Sequence, residues 1–219
     1  MQAQCVHGGR PRSTASSSPM KKNLLALAAL CVLTSGAAHA QAADGQGPWM
    51  VRARAVHLDS ANKDSTGLGL SINNKTIPEV DISYFFDKNI AAELVLTVPQ
   101  KQDVRSSALG AQIGTLKHLP PSLMVQYHFD APGFRPYVGA GINYTRFSSV
   151  RLPAGVSIDK SSWGGALQVG VDIPLTKNLS LNFDIKKVYI RTDVAANGAK
   201  LGTLKIDPVL AGVGLGWRF

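Results

Sequence analysis

From Trp49 onward, apolar and polar residues alternate one for one along most of the chain. That period places successive side chains on opposite faces of a strand. Eight such segments recur, at roughly 49–58, 76–86, 90–98, 120–129, 136–147, 162–173, 179–190 and 204–219. In the first, Trp49, Val51, Ala53 and Ala55 oppose Arg52 and Arg54. In the second, Val80, Ile82, Tyr84 and Phe86 oppose Glu79, Asp81 and Ser83. In the seventh, Leu179, Leu181, Phe183 and Ile185 oppose Ser180, Asn182, Asp184 and Lys186. In the last, Val209, Ala211, Val213, Leu215, Trp217 and Phe219 oppose Gly212, Gly214, Gly216 and Arg218.

The connectors alternate in length. Residues 87–89, 130–135 and 174–178 are short, whereas 59–75, 99–119, 148–161 and 191–203 are long and polar. Short turns at one end and long loops at the other are the pattern of an outer-membrane barrel, with the short turns periplasmic. The fold class is therefore all-β, an eight-stranded antiparallel transmembrane β-barrel. An even strand number puts both chain ends on the periplasmic side.

Aromatic residues gather at two heights, as expected of rings at head-group level. Trp49, Tyr84, Phe86, Tyr127, Phe129, Tyr137, Trp217 and Phe219 fall near the short turns. Tyr144, Phe147, Trp163 and Tyr189 fall near the long loops. A soluble eight-stranded barrel of lipocalin type also alternates. Its polar face, however, points to water and carries many charges. Here the polar face is rich in glycine, and only 17% of all residues are charged.

The N-terminal region breaks this pattern. From Met20 the chain reads as a secretory signal: Lys21 and Lys22, an apolar run over residues 24–33, then Ala38-His39-Ala40. Residues 20–40 are thus expected to be a signal peptide, and 41–219 the barrel domain. Residues 1–19 read as a misassigned start or an extended n-region. The apolar run is about ten residues, short of the ~20 that a helical span needs. Cys5 and Cys31 both fall before the expected cleavage point, so the exported chain carries no disulfide. Four positive charges and no acids also lie there. The net charge of +9 becomes +5 for residues 41–219, with no basic run of the kind that binds nucleic acid.

Several stretches resemble the OmpW family of outer-membrane proteins: Trp49–Arg54, LPPSLMVQYHF at 119–129, FRPYVGAGINYTRF at 134–147 and DPVLAGVGLGWRF at 207–219. They follow the family's order across nearly all of the expected exported chain. The resemblance implies a narrow, hydrophobic channel closed at the bottom, with a role in taking up small hydrophobic molecules. The terminal Phe219 and Trp217 resemble the signal that barrel-assembly machinery reads.

Candidate chemistry follows from phase and height. Arg52, Arg54, Glu79, Asp81, Glu93, Asp172, Asp184, Lys186 and Arg218 should face the lumen as a charge network, because an unpaired charge there is costly. Gln126, His128, Gln168 and Asn182 share that polar level. Higher on the inward face stand Val56, Leu58, Val95, Met124, Phe147, Val188, Ile190, Ile206 and Leu210, an apolar cup opening toward the long loops. Gly139-x-Gly141 in the fifth segment and Gly212-x-Gly214-x-Gly216 in the last fit no nucleotide loop. They make room in a lumen that side chains nearly fill. His57, His118 and His128 lack metal-ligand spacing. His118 and Ser122 could meet at the outer rim, but no acid is placed to orient the histidine. No enzymatic activity and no cofactor are expected. The expected partners are outer-membrane lipid and lipopolysaccharide, the assembly machinery and a small hydrophobic ligand, with no nucleic acid. A channel or binding cup for that ligand is the leading reading, and a structural or adhesive surface barrel the alternative.

Overall fold

The computed structural model describes residues 46–219. The expected signal peptide and the residues before it lie outside that range. In chain order the strands are β1 (Trp49–Asp59), β2 (Lys63–Asp64), β3 (Leu70–Ile72), β4 (Lys75–Phe85), β5 (Ile90–Thr97), β6 (Gln100–Ser106), β7 (Ala111–Leu119), β8 (Ser122–His128), β9 (Arg135–Arg151), β10 (Val156–Ile158), β11 (Ser161–Pro174), β12 (Leu179–Val188), β13 (Arg191–Ala196), β14 (Ala199–Lys205) and β15 (Val209–Arg218).

Eight of them close a wall in the order β1-β4-β5-β8-β9-β11-β12-β15, and β15 pairs back onto β1. Every pairing in the ring is antiparallel. The seam is sealed at its foot by two backbone bonds, Trp49 N to Phe219 O at 3.1 Å and Phe219 N to Trp49 O at 2.9 Å. These eight strands are the eight alternating segments, with ends displaced by a few residues.

Register explains the glycines. Across the β1–β15 ladder Arg52 faces Gly216 and Arg54 faces Gly214, while across β1–β4 they face Asp81 and Glu79. A Cβ at Gly214 would lie 2.0 Å from the Ala53 carbonyl oxygen and 2.7 Å from Arg54 Cγ. Glycine at that position therefore lets a long inward side chain lie across the neighbouring strand. Gly170 does the same for Tyr137, whose ring would stand 2.4 Å from an added Cβ.

The outer face is apolar and bare. Val80, Leu94, Leu123, Val125, Ile142, Leu167, Val169, Ile185, Val213 and Leu215 are all exposed large hydrophobics. A continuous belt of that kind needs a lipid covering. It is rimmed below by Trp49 against Tyr84 (4.8 Å between ring centroids) and Tyr127 against Phe129 (4.9 Å), and above by Tyr144 against Trp163 (4.8 Å). Two residues assigned to these girdles do not belong there. Tyr137 and Phe147 are both buried, on the inward phase of β9.

The long connectors are not loops. Residues 59–75, 99–119, 148–161 and 191–203 supply β2, β3, β6, β7, β10, β13 and most of β14. The strands β3, β6 and β7 extend the wall through β9, and β10-β13-β14-β2 forms a separate four-stranded sheet. The expected last segment, 204–219, is broken at residues 206–208. Pro208 has no N–H to give, and Asp207 adopts a positive φ of 32°.

Candidate functional site

Three layers fill the lumen. At the periplasmic end Met50, Phe85 and Ala91 form a small apolar floor. His128 lies with its ring centroid 4.9 Å from Phe85 and 4.9 Å from Tyr137. Arg218 sits at this level, below the other inward charges. Its Nε donates to the Gly47 carbonyl at 2.9 Å, and its guanidinium stands 3.9 Å over the Phe85 ring. The cleft that remains has a volume of about 50 Å³.

The middle layer is ionic. Arg52 grips Asp172 with two donors, Nε at 3.2 Å and Nη2 at 2.7 Å, and reaches Ser83 Oγ at 2.9 Å. Arg54 lies beside Glu79 (3.1 Å), Glu93 (3.2 Å), Asp184 (3.3 Å) and Asp81. Lys186 joins Glu79 at 2.6 Å and Asp184 at 3.0 Å. Eight of the nine expected network residues therefore meet here, three cations among five carboxylates. All are buried. Neutral groups complete the layer. Gln168 Nε2 donates to Asp184 at 2.8 Å, Asn182 Nδ2 to Asp172 at 2.9 Å, and Gln126 Nε2 to Gln168 at 3.0 Å. Tyr137 was missed as a member. Its hydroxyl donates to Asp184 Oδ2 at 2.9 Å and accepts from Asn182 Nδ2 at 3.1 Å. Its phase, shared with Gly139 and Gly141, was the available signal.

The upper layer is apolar. All nine expected cup residues are buried in one cluster. The cup is not open, however. Leu70, Ile72, Val104, Leu116, Val194 and Leu204 pack into the same cluster from β3, β6, β7, β13 and β14. What remains is a cavity of about 20 Å³ at the boundary with the ionic layer, where Leu58, Ile77, Val95 and Leu210 meet Glu79, Lys186, His118 and Ser122. That is room for roughly one water molecule.

His118 and Ser122 both line this cavity, but they form no catalytic pair. Ser122 Oγ accepts from Asn143 Nδ2 at 3.0 Å. Neither ring nitrogen of His118 has a hydrogen-bonding partner among the described residues. Burial, reinforced by repulsion from Lys75, pushes the His118 imidazole down to about 4. It is therefore neutral at pH 7.

The wall has one notable discontinuity. The β5–β8 ladder stops at Val95 and Ser122, and the β6–β7 ladder begins at Gln100 and His118. Between them 96–99 and 119–121 do not pair with each other. Pro99, Pro120 and Pro121 lack the N–H a ladder would use. The cavity reaches the wall there, at Thr97 and Pro120.

A closed eight-stranded wall, a lipid-facing belt between aromatic girdles and a sealed charged lumen define a small bacterial outer-membrane β-barrel. The chain belongs to the OmpW family, whose pattern matches residues 46–219. It is 36% identical to outer membrane protein W of Escherichia coli over 219 residues, 91% of this chain and all of that one. The solution structure of that protein superposes with a TM-score of 0.61 at 31% identity, covering 80% of this chain and 98% of the other. An uncharacterized outer-membrane protein of Sinorhizobium fredii, y4mB, is 41% identical over 81% of this chain and 82% of its own length. The dibenzothiophene metabolism operon protein PahQ of Pseudomonas aeruginosa is 30% identical over 64% of this chain and 69% of its own length. The protein resides in the outer membrane of a Gram-negative bacterium.

Proposed function

We propose that the barrel takes small hydrophobic molecules from the external side into the apolar upper lumen, above an ionic layer that keeps the periplasmic half shut. The observation that carries this is the placement of the cluster. Seventeen buried apolar residues sit on top of eight buried charges, inside a wall that already faces lipid. A merely structural barrel could fill its lumen with polar groups throughout. PahQ supports the reading, since it is named for an operon that metabolises an apolar aromatic compound. The cluster is packed, so a solute occupies it only when the strands above part. The unpaired stretch beside Thr97 and Pro120 offers a route to the side. Burial of the solute then contributes ~25 cal/mol per Å² of apolar area, less the cost of lost freedom.

The test is titration of the refolded barrel in lipid nanodiscs with n-octane, corrected for protein-free discs. Wild type is expected to bind. Leu210→Asp places a charge in the cluster and is expected to weaken binding at least tenfold, while Leu215→Val on the lipid face leaves it unchanged. Equal affinity in wild type and Leu210→Asp would favour the structural or adhesive alternative.

A further inference from the structure

The cavity between the apolar and ionic layers has a feature that hydrocarbon binding does not use. His118 is 1% exposed, on the wall of that space, with both ring nitrogens unpartnered among the described residues. Two registers up the same hairpin, Gln102 is equally buried and neither of its amide atoms has a partner. Buried polar groups in folded proteins are nearly always hydrogen-bonded. A leucine at either place would extend the surrounding apolar cluster without leaving polar atoms unmet.

The chemistry of the vacant valences selects a ligand group. A neutral imidazole offers one N–H donor and one acceptor nitrogen. A hydroxyl both donates and accepts, and so bonds whichever ring nitrogen faces the cavity, in either tautomer. A carboxylate finds Lys186 already held by Glu79 and Asp184, while Lys75, near enough to repel the imidazolium, turns its Nζ to the Lys101 carbonyl oxygen at 3.3 Å on the exposed side. An ammonium finds Glu79 held by Lys186 and Arg54. The space, about 20 Å³, suits one small polar group, with the hydrocarbon remainder lying among Leu58, Ile77, Val95 and Leu210.

We propose that His118 is a recognition point for a hydroxyl group on an otherwise apolar solute, so that the barrel prefers hydrocarbon alcohols to the plain hydrocarbons of the same length. This rests on the hydrophobic-solute reading above and narrows it.

The experiment compares 1-octanol with n-octane on the full barrel in nanodiscs, for wild type, His118→Leu and His118→Asn. Each value is corrected for partition into protein-free discs. In wild type, 1-octanol is expected to bind about tenfold more tightly than octane. In His118→Leu the ratio should fall to within twofold, with octane affinity retained. His118→Asn keeps a donor and an acceptor and should preserve part of the preference. A ratio unchanged between wild type and His118→Leu would overturn the proposal, leaving His118 as a structural group. Failure of wild type to bind either compound would instead overturn the hydrophobic-solute reading itself. Imidazole ¹⁵N shifts give an independent check. They should move on addition of 1-octanol and not of octane, and no response to the alcohol would likewise count against the proposal.

Discussion

Lys186 Nζ lies 2.6 Å from Glu79 Oε1, although β12 and β4 are separated in the wall by β15 and β1. The pair spans the lumen directly beneath the apolar cluster. Removing one partner of a buried ion pair leaves the other charge uncompensated, at a cost of about 3–5 kcal/mol. Lys186→Met is expected to destabilise the barrel by that order in urea unfolding from lipid vesicles. The double variant Glu79→Gln/Lys186→Met should recover a measurable part of the loss. Full additivity of the two single changes would show that the pair is not coupled.

Tyr137 offers a gentler probe of the same layer. Tyr137→Phe keeps the ring against His128 and over Gly170 but removes the hydroxyl that bonds Asp184 and Asn182. A loss of about 1–3 kcal/mol is expected, the usual cost of leaving buried groups unsatisfied. Tyr127→Phe, on the lipid face, should change stability by less than about 0.5 kcal/mol. Equal effects at the two tyrosines would remove Tyr137 from the network.

Two glycines should respond in opposite ways to alanine. At Gly214 a Cβ would meet the Ala53 carbonyl oxygen at 2.0 Å, and backbone cannot swing aside. At Gly165 the nearest atom is 3.8 Å away, and no positive φ stands in the way. Gly214→Ala is expected to reduce the heat-modifiable folded band strongly, and Gly165→Ala to leave it intact. A folded band of normal intensity from Gly214→Ala would mean that β1 and β15 can move apart.

His118 makes stability depend on pH. Its folded value is depressed from 6.5 to about 4, so the unfolded chain binds the proton first. The native state therefore loses stability as pH falls from about 6.5 to about 4, and holds it above that window. Urea midpoints at pH 7.5 and pH 4.5 should differ more for wild type than for His118→Leu. Identical pH dependence in the two proteins would mean that the imidazole is not buried as a neutral group.

Phe219 is expected to matter for assembly as well as for closure. Its backbone bonds Trp49 in both directions, and its ring faces outward beside the lower girdle. Deleting it should sharply lower the amount recovered in outer-membrane fractions. Substitution by Tyr should preserve it, and wild-type recovery of the deletion would argue against a role as an assembly signal.

The wall and its phase were legible in the sequence because one face meets lipid and the other a crowded lumen. That contrast forces strict alternation, and it placed Arg52, Asp81, Asp184 and Lys186 together before any coordinates. The cap was not legible. In β6 the buried positions are Gln100, Gln102, Val104 and Ser106, so three of four inward residues are polar and no apolar period appears. Without the cap strands the upper lumen read as an open cup, whereas Val104, Leu116, Val194 and Leu204 fill it. Tyr137 escaped for a different reason. Its height matches the lower girdle, and only its phase, shared with Gly139 and Gly141, marks it as inward.

The bonds between Trp49 and Phe219 carry a consequence for the order of folding. They join positions 170 residues apart, and β1 meets its second neighbour only when β15 arrives. Arg52 waits likewise for Asp172, 120 residues away. Contacts this distant in sequence are slow to form, since the chain must be ordered before they reward it. Until the last strand docks, the first has an open edge, and Arg52 and Arg54, already beside Asp81 and Glu79 of β4, are not yet held by the closed wall against Asp172 of β11 and Asp184 of β12. Insertion and closure are thus bound into one cooperative event, so a chain stalled before β15 is expected to be a substrate for periplasmic degradation rather than a half-built barrel in the membrane.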